Sequence, residues 1–339
     1  MIGPLFIVGN SRSGTTMMMR IMDRHPQVHS INEPHFFETM WSPSDQGKTI
    51  SKADAKDLYT KLFTRQRAGF FESVEEHGHL YSKEIEALLD TWPSDRPLTR
   101  IQIYGSFLDY EPHTHSKEKT CEKTPQNVFY IKEILESFPE ARILHMVRDP
   151  RATMLSQKNK WKRKDLGATF MTKKEVLRLR MNYHPITMSK LWNAAVQAGL
   201  HYSVDPAVLE VRFEDLIQHP QDKVRLICEH FGLEFDETML EIDQAGSSLE
   251  ADNTADKGIR KKPSRTWKEK GLSDVEVWQC QRICQDYMAK FSYAPVDVRP
   301  NSVAILVSYL SFPVKLFGAL LFNLNRMRSI VDTIKRRMS

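Results

Sequence analysis

The chain has 339 residues, 41% of them hydrophobic, and this composition excludes a globally disordered protein. Lysine and arginine (48) outnumber aspartate and glutamate (43), which gives a net charge of +5 with neutral histidines. An excess this small fits an anionic small ligand or a membrane surface, but it does not by itself indicate nucleic acid binding.

The first elements in the chain predict a strand, a polar loop, a helix and a second strand. Residues 5–8 form an apolar run that ends at Gly9 and predict a buried parallel strand. Met18, Ile21 and Met22 then recur at helical spacing, and the helix is expected to end before Pro26. Because the polar loop begins before the hydrophobic region of a signal peptide could be completed, we expect a cytoplasmic protein.

A long polar segment, residues 41–116, has a mostly helical pattern and is predicted to be an insertion over the active-site end of the sheet. Thr124 and Pro125 then predict a helix start, with the threonine as N-cap. Further buried strands are predicted at 142–147 and 208–211. Short strands that alternate with longer helices predict an α/β fold, a parallel sheet with helices on both faces. Ligands of such sheets bind beyond the carboxyl ends of the strands.

The loop after the first strand has the spacing of a phosphate-binding loop, with four residues between Gly9 and Gly14. A nucleotide triphosphatase loop would continue with a lysine, but Thr15 and Thr16 follow here. Arg12 supplies the positive charge instead, and a guanidinium can hold two oxygens of one tetrahedral anion. This P-loop-like turn therefore favours a doubly anionic group other than Mg-ATP, the alternative being an ordinary turn. Its candidate ligand-binding residues are Asn10, Ser11, Arg12, Ser13, Gly14, Thr15 and Thr16.

With these residues, the chain resembles the sulfotransferases that use 3′-phosphoadenosine 5′-phosphosulfate (PAPS), in which such a loop binds the 5′-phosphosulfate. The family also places an arginine at a strand end and a serine eight residues later, both on the 3′-phosphate of the donor. Arg148 and Ser156 match that pair. The local alternative is a surface ion pair between Arg148 and Asp149.

The resemblance covers roughly residues 3–292 and extends to further segments of tyrosylprotein and bacterial-type sulfotransferases. It implies that Glu33 is a general base, that Lys123 lies beside the transferring sulfuryl group, and that Phe213 lies near the adenine. Phe213 replaces the more common tyrosine, so only stacking carries over. Arg265 falls in a basic segment that resembles the loop closing over the donor, and this last match is loose.

The expected reaction is in-line sulfuryl transfer from PAPS to an acceptor hydroxyl, with Glu33 as base and with Arg12 and Lys123 stabilising charge. His35 is a rival base, and Lys123 could instead be a solvated loop lysine. The scheme requires no metal. The two His-x-His segments, at 77–79 and 113–115, are interpreted as exposed loop residues, because they lie in polar stretches without supporting carboxylates.

The segment 301–339 has a different composition from the 1–300 domain. Residues 303–322 are almost wholly apolar apart from Pro313 and Lys315, and basic residues follow. Since a central lysine and a proline disfavour a spanning helix, we expect two short helices that lie on a membrane through residues 302–337. The alternative is a hairpin packed on the domain or on another subunit.

Two other functions fit parts of the sequence. One is a P-loop kinase that uses Mg-ATP, which the missing loop lysine disfavours. The other is a non-catalytic nucleotide-binding protein attached to a membrane. For the transferase, a carbohydrate, glycolipid or other lipid-linked hydroxyl is the favoured acceptor, because of the apolar tail, and no nucleic acid partner is expected. The sequence does not identify the acceptor or the oligomeric state.

Overall fold

A computed structural model describes residues 3–69, 72–92, 98–166, 171–244, 251–260, 266–269 and 271–323. Its centre is a five-stranded parallel sheet with the strand order β2-β5-β1-β6-β7. The strands are β1 (Leu5–Gly9), β2 (Val28–Asn32), β3 (Thr49–Ile50), β4 (Leu98–Thr99), β5 (Lys119–Lys123), β6 (Arg142–Val147), β7 (Val208–Arg212), β8 (Asp243–Gln244) and β9 (Asn253–Lys257). Strands β3 and β4, and likewise β8 and β9, form separate antiparallel pairs.

Helices surround this sheet. They are α1 (Thr15–Asp23), α2 (Phe36–Thr39), α3 (Lys52–Phe63), α4 (Val74–His77), α5 (Ser82–Asp90), α6 (Arg100–Thr114), α7 (Ile131–Ser137), α8 (Pro150–Lys158), α9 (Lys173–Asn182), α10 (Pro185–Leu200), α11 (Phe213–Gln218), α12 (Pro220–His230), α13 (Thr266–Glu269), α14 (Asp274–Lys290) and α15 (Ser302–Asn323). Short 3-10 helices cover Pro43–Asp45, Gly78–Tyr81, Pro125–Tyr130, Lys160–Asp165 and Glu237–Leu240, and a π-helical turn covers Thr64–Ala68.

Successive residues of β1 enter cores on opposite faces of the sheet, as strand geometry requires. Phe6 and Val8 pack in a core with α3, α6, α7 and α10. Leu5 and Ile7 pack in a second core with α1, α11 and α12. The predicted α/β architecture with helices on both faces is therefore confirmed.

The segment 41–116 is mainly helical, as predicted, and its long helices α3 and α6 complete the core on one face of the sheet. The strand that follows it, β5, was not identified in the sequence, because its last residues Glu122 and Lys123 are charged although both are buried. The helix predicted at Thr124 begins as a 3-10 helix. Thr124 is the N-cap residue and Pro125 begins the helix, as predicted, but the Thr124 hydroxyl donates to Glu122 and makes no capping hydrogen bond.

The apolar C-terminal segment forms one helix, α15, and the predicted break at Pro313 is wrong. Contacts on both sides of the proline hold the helix, since His184 Nε2 lies 3.1 Å from the Ser308 carbonyl and Lys315 Nζ donates to the Arg180 carbonyl at 3.1 Å. By length and composition α15 could cross a membrane. Its apolar stretch has a mean hydropathy of 1.8, and only 11% of that stretch is buried. All four cysteines, Cys121, Cys228, Cys280 and Cys284, are buried and free.

Candidate active site

The carboxyl ends of all five parallel strands lie at one edge of the sheet, and polar segments follow them there. Strand β1 leads into the glycine loop, β2 into Glu33, β6 into Arg148 and β7 into Phe213, while β5 ends on Lys123. Candidate residues that are far apart in sequence are therefore delivered to one place by the fold.

Two glycines give the loop between β1 and α1 its shape. Gly9 has φ 144°, and a Cβ there would lie 2.3 Å from the Met146 carbonyl oxygen. Gly14 has φ 91°, and a Cβ there would lie 2.2 Å from Cδ2 of Phe213. Both positions require glycine, because a side chain would collide with neighbouring strand or ring atoms.

The loop presents hydrogen-bond donors to an anion. Helix α1 begins at Thr15 and has no acidic residue in its first turn, so its free amide N–H groups and its dipole favour a negative ligand. The Ser13 hydroxyl is buried and has no hydrogen-bond partner among the described residues. The side-chain amide of Asn10 donates to the Ser11 carbonyl within the loop, at 3.2 Å. Thr16 is half-buried in the same first turn.

The two predicted donor motifs meet through Arg12. Its Nε donates to Ser156 Oγ at 2.8 Å, and its carbonyl accepts from Arg148 Nη1 at 3.0 Å. The Arg148 guanidinium lies 4.4 Å from the ring centroid of Phe213. Arg148 Nε is buried and has no partner among the residues that the structure describes. These contacts preposition guanidinium groups and a hydroxyl for a polyanionic ligand.

Electrostatics at Arg12 indicate a site with excess positive charge. Burial, and the neighbouring charges of Arg148 and Arg163, lower the pKa of Arg12 to about 10, although Glu33 opposes the shift. Burial also lowers the pKa of Arg148. Packing like charges together is unfavourable unless an anion offsets it, so this cluster is suited to phosphate or sulfate groups.

Lys160 belongs to the same cluster and was missed in the sequence. Burial and the charge of Arg12 lower the pKa of Lys160 to about 8, while Glu33 acts in the opposite direction. The signal was present, because Lys160 follows Ser156 by four residues and helical segments place such pairs on one face.

Glu33 and Lys123 form an ion pair at the ends of the adjacent strands β2 and β5. Lys123 Nζ lies 2.5 Å from Glu33 Oε1, and the lysine side chain is 2% exposed. His35 Nε2 lies 3.4 Å from Glu33 Oε2, and His35 Nδ1 lies 2.8 Å from Glu38 Oε2. The interpretation of Lys123 as a solvated loop lysine is therefore wrong.

Neighbouring charges shift the pKa values of Glu33 and His35. Burial alone would raise the pKa of Glu33, but the Lys123 ammonium and the His35 hydrogen bond hold it well below its usual range. Burial would lower the pKa of His35, but Glu33 and Glu38 raise it to about 9. At neutral pH Glu33 is thus an ionised carboxylate, and His35 beside it is a protonated imidazole.

Backbone strain is concentrated at these residues. Arg12 (φ 76°), Glu33 (φ 54°) and His35 (φ 52°) adopt left-handed conformations, as only two other non-glycine residues do in the described chain. Such conformations cost on the order of 1–3 kcal/mol each and persist where the surroundings enforce them. The strain is consistent with side chains that are aimed for a function.

A buried carboxyl lies beside Lys123 in β5. Burial raises the pKa of Glu122 to about 7, although hydrogen bonds from Thr124 and Asn127 oppose the shift. Asn127 Nδ2 donates to Glu122 at 2.7 Å. This network anchors the strand end from which Lys123 extends.

The alternative of a surface ion pair at Arg148 is wrong. Asp149 instead pairs with Arg151 at 2.7 Å, both side chains being almost fully buried, and Arg151 also lies 4.4 Å from the Trp267 ring centroid. This leaves Arg148 directed at the glycine loop. The predicted donor residue Arg265 lies outside the described residues.

The interpretation of the histidine segments needs one correction. His113 is exposed at the end of α6, as expected, but His115 lies with His29 and Glu111 in a group that could hold a metal ion. Glu111 lies in the last turn of α6, four residues before His115, and His29 joins them from β2 only through the tertiary fold.

The fold and the site together define an α/β protein with a cluster of buried positive charges at the carboxyl edge of a parallel sheet. The family model of the sulfotransferases matches residues 4–237. The chain belongs to the sulfotransferase family, and sulfotransferases are enzymes of group transfer.

Two curated relatives illustrate the similarity. Protein-tyrosine sulfotransferase A of Caenorhabditis elegans is 27% identical over 246 residues, covering 71% of this chain and 52% of the relative. The omega-hydroxy-beta-dihydromenaquinone-9 sulfotransferase Stf3 of Mycobacterium bovis is 26% identical over 258 residues, covering 68% of this chain and 63% of the relative. The chain thus spans less than two thirds of either relative.

Among solved structures, the sulfotransferase domain from the curacin biosynthetic pathway is similar, with a TM-score of 0.49 and 18% identity. The alignment covers 85% of this chain and 98% of that domain.

Proposed function

We propose that this protein transfers the sulfuryl group of PAPS to an acceptor hydroxyl. The observation that carries the proposal is the position of Arg12, which contacts both Ser156 and Arg148. A loop for the 5′-phosphosulfate and a pair for the 3′-phosphate are thereby joined in one basic site. ATP lacks the 3′-phosphate and would leave the second half of this site unused.

The donor is held by residues of three strand ends. The amide N–H groups at the start of α1 and the hydroxyls of Ser13, Thr15 and Thr16 bind the 5′-phosphate. Arg148 and Ser156 bind the 3′-phosphate. The unpartnered Ser13 Oγ and Arg148 Nε fit this role, since buried donors are normally satisfied. The Phe213 ring lies beside Arg148 and offers a face to the adenine.

The transfer is an in-line displacement at sulfur. The acceptor oxygen forms a bond to sulfur as the bond from sulfur to the bridging oxygen of the donor breaks, and Glu33 takes the hydroxyl proton. Adenosine 3′,5′-bisphosphate leaves. Arg12 and Lys123 stabilise the charge that develops on the bridging and sulfuryl oxygens. No step in this scheme is assigned to a metal.

The titration of the site favours Glu33 over His35 as the base. His35, with its pKa raised to about 9, is protonated at neutral pH and cannot accept a proton. Glu33 is ionised, and its carboxylate is held by Lys123. When Lys123 turns toward the sulfuryl oxygens, Glu33 becomes free to receive the acceptor proton.

A lipid-linked hydroxyl is the acceptor that we favour, and α15 supports it. This helix exposes an apolar stripe that lies at the helical repeat, formed by Val303, Leu306, Val307, Leu310, Val314, Phe317 and Leu321. We propose that the stripe lies on a membrane, which places the protein peripherally at a lipid surface. The name of Stf3, a relative, specifies a hydroxylated menaquinone, whereas that of another relative specifies tyrosine.

A thermal-shift comparison tests the donor. We expect adenosine 3′,5′-bisphosphate to raise the Tm and Mg-ATP to leave it unchanged. The reverse result would support the P-loop kinase. Transfer of labelled sulfate from PAPS to a panel of lipid alcohols, glycolipids, sugars and tyrosine peptides then tests the acceptor. Donor binding without transfer to any of them would favour a non-catalytic nucleotide-binding protein.

A further inference from the structure

A second group of potential ligands lies toward the opposite edge of the sheet from Glu33. His29 is in the amino-terminal half of β2, Glu111 is in α6, and His115 directly follows that helix. One ligand atom of each lies within 4.8 Å of the others. His29 precedes Glu33 by four residues, about 13 Å along the strand, so the group is separate from the reaction centre.

Two of these ligand atoms are buried without a partner. The Glu111 side chain is 0% exposed, and its Oε2 has no hydrogen-bond partner among the described residues. His29 Nε2, 3.9 Å from that oxygen, is equally buried and unpartnered in the described chain. When neutral His29 carries its proton on Nδ1, its Nε2 and the Glu111 oxygen are both acceptors, and a cation between them would satisfy both atoms.

Neighbouring groups contact those atoms of the three side chains that would not bind the ion. His115 Nδ1 lies 3.0 Å from the Glu111 carbonyl, which makes Nδ1 the donor and leaves Nε2 with a lone pair. His29 Nδ1 faces Asp23 Oδ1 at 3.8 Å. Arg67 donates to the other oxygen of Glu111 at 2.8 Å, which leaves Oε2 for a cation.

We propose that His29, Glu111 and His115 bind Zn²⁺. Two imidazoles and one carboxylate are a common protein ligand set for zinc, with water as the fourth ligand. The ion would cross-link β2 to α6 and so tie the helical insertion to the sheet.

Binding requires a small adjustment. In a tetrahedral zinc site the ligand atoms lie roughly 3.3 Å apart, closer than the 3.9 Å between His29 and Glu111. The rings of His29 and His115 are stacked, with 3.9 Å between their centroids. Because an imidazole binds a metal ion in the plane of its ring, two stacked rings cannot both point at one ion. His115 is exposed and directly follows α6, so it is the ring that turns, and the turn gives up its contact with the Glu111 carbonyl.

Asp23, Glu84 and Glu111 bring three carboxylates close to the group, while Arg67 and Lys117 bring two positive charges. The exposed side of His115 provides the entry path for an ion.

The experiment uses the full chain, stripped with a chelator and titrated with Zn²⁺ against a chromogenic competitor. His115→Asn removes the exposed ligand without disturbing the core. His113→Asn is the matched control, because His113 lies on the same helix end, is exposed, and is not part of the group. Co²⁺ absorption in the visible range reports the coordination geometry.

We expect one equivalent of Zn²⁺ in the wild type and in His113→Asn, and an affinity at least about tenfold weaker in His115→Asn. The wild-type Tm should rise with zinc, and the rise should shrink in His115→Asn alone. The proposal is overturned if the wild type binds no stoichiometric zinc, or if both variants bind it equally well.

Discussion

Arg12 and Ser156 are 144 residues apart in the chain, and their side chains share a hydrogen bond of 2.8 Å. The arginine belongs to the loop after β1 and the serine to the helix after β6, so two neighbouring parallel strands bring them together. Arg148 closes the arrangement by donating to the Arg12 carbonyl. A ligand that engages Arg12 is thereby placed within reach of Arg148 and Ser156.

The first prediction concerns Arg148. Arg148→Ala should weaken binding of adenosine 3′,5′-bisphosphate by about 10- to 100-fold, the effect of losing hydrogen bonds to a charged group. The turnover at saturating PAPS should change much less. Isothermal titration and the KM for PAPS measure the two effects.

Arg151→Ala is its matched control. Arg151 is three residues away and pairs with buried Asp149, so its loss should cost stability, on the order of 3–5 kcal/mol, rather than donor affinity. Equal donor affinities for Arg148→Ala and the wild type would remove Arg148 from the donor site.

The second prediction concerns Glu33. Glu33→Gln keeps the shape of the side chain but cannot accept a proton, so kcat should fall by roughly 10²- to 10⁴-fold while donor affinity is kept. Stopped assays at saturating PAPS measure kcat. Glu38→Gln is the control, since Glu38 contacts His35 but not Lys123. If Glu33→Gln turns over as fast as the wild type, another group is the base.

The third prediction is a pH dependence of stability that His35 causes. Its folded-state pKa is raised from 6.5 to about 9, so its contribution is complete below pH 6.5 and is lost as the pH rises through about 9. The free energy of unfolding of the wild type should exceed that of His35→Asn by at most about 3 kcal/mol at low pH. The difference should vanish above pH 9.

Denaturant unfolding of both proteins between pH 6 and pH 10 measures this difference. Glu33 does not titrate in that window, because its pKa is held below the usual range. A stability difference that stays constant across the window would mean that His35 is not paired with Glu33 and Glu38 as described.

The fourth prediction concerns the apolar stripe of α15. Leu310→Glu should reduce co-sedimentation with anionic phospholipid vesicles by at least about tenfold, since burying one such side chain contributes about 1.5–3 kcal/mol. Leu80→Glu is the control, because Leu80 is 61% exposed and Leu310 is 65% exposed, but Leu80 lies on the insertion. If neither the wild type nor the variant binds vesicles while the wild type dimerises, a second copy covers the stripe.

The core strands and the glycine loop were predictable from the sequence, because their signals are local. Apolar runs identify β1, β2, β6 and β7, and the spacing of Gly9 and Gly14 identifies the turn between β1 and α1. Strand β5 escaped prediction because Glu122 and Lys123 are polar residues buried by contacts from other parts of the chain.

Pairings across the chain were decided by the tertiary structure. The family resemblance predicted roles in the reaction for Glu33 and Lys123, but only the adjacency of β2 and β5 brings them to 2.5 Å. The contacts of Glu33 and Glu38 then raise the pKa of His35. Lys160, two residues after the end of α8, lies in the site only because α8 packs beside the glycine loop.

The residue types and short spacings of this chain were enough to determine its family and to predict an anionic ligand for its loop, since backbone geometry and local charge act within a few residues. The partners of buried charged groups, such as Lys123 with Glu33 and Glu111 with His29, depend on which strands and helices become neighbours. That depends on how the apolar faces of the whole chain pack, and no local pattern contains it.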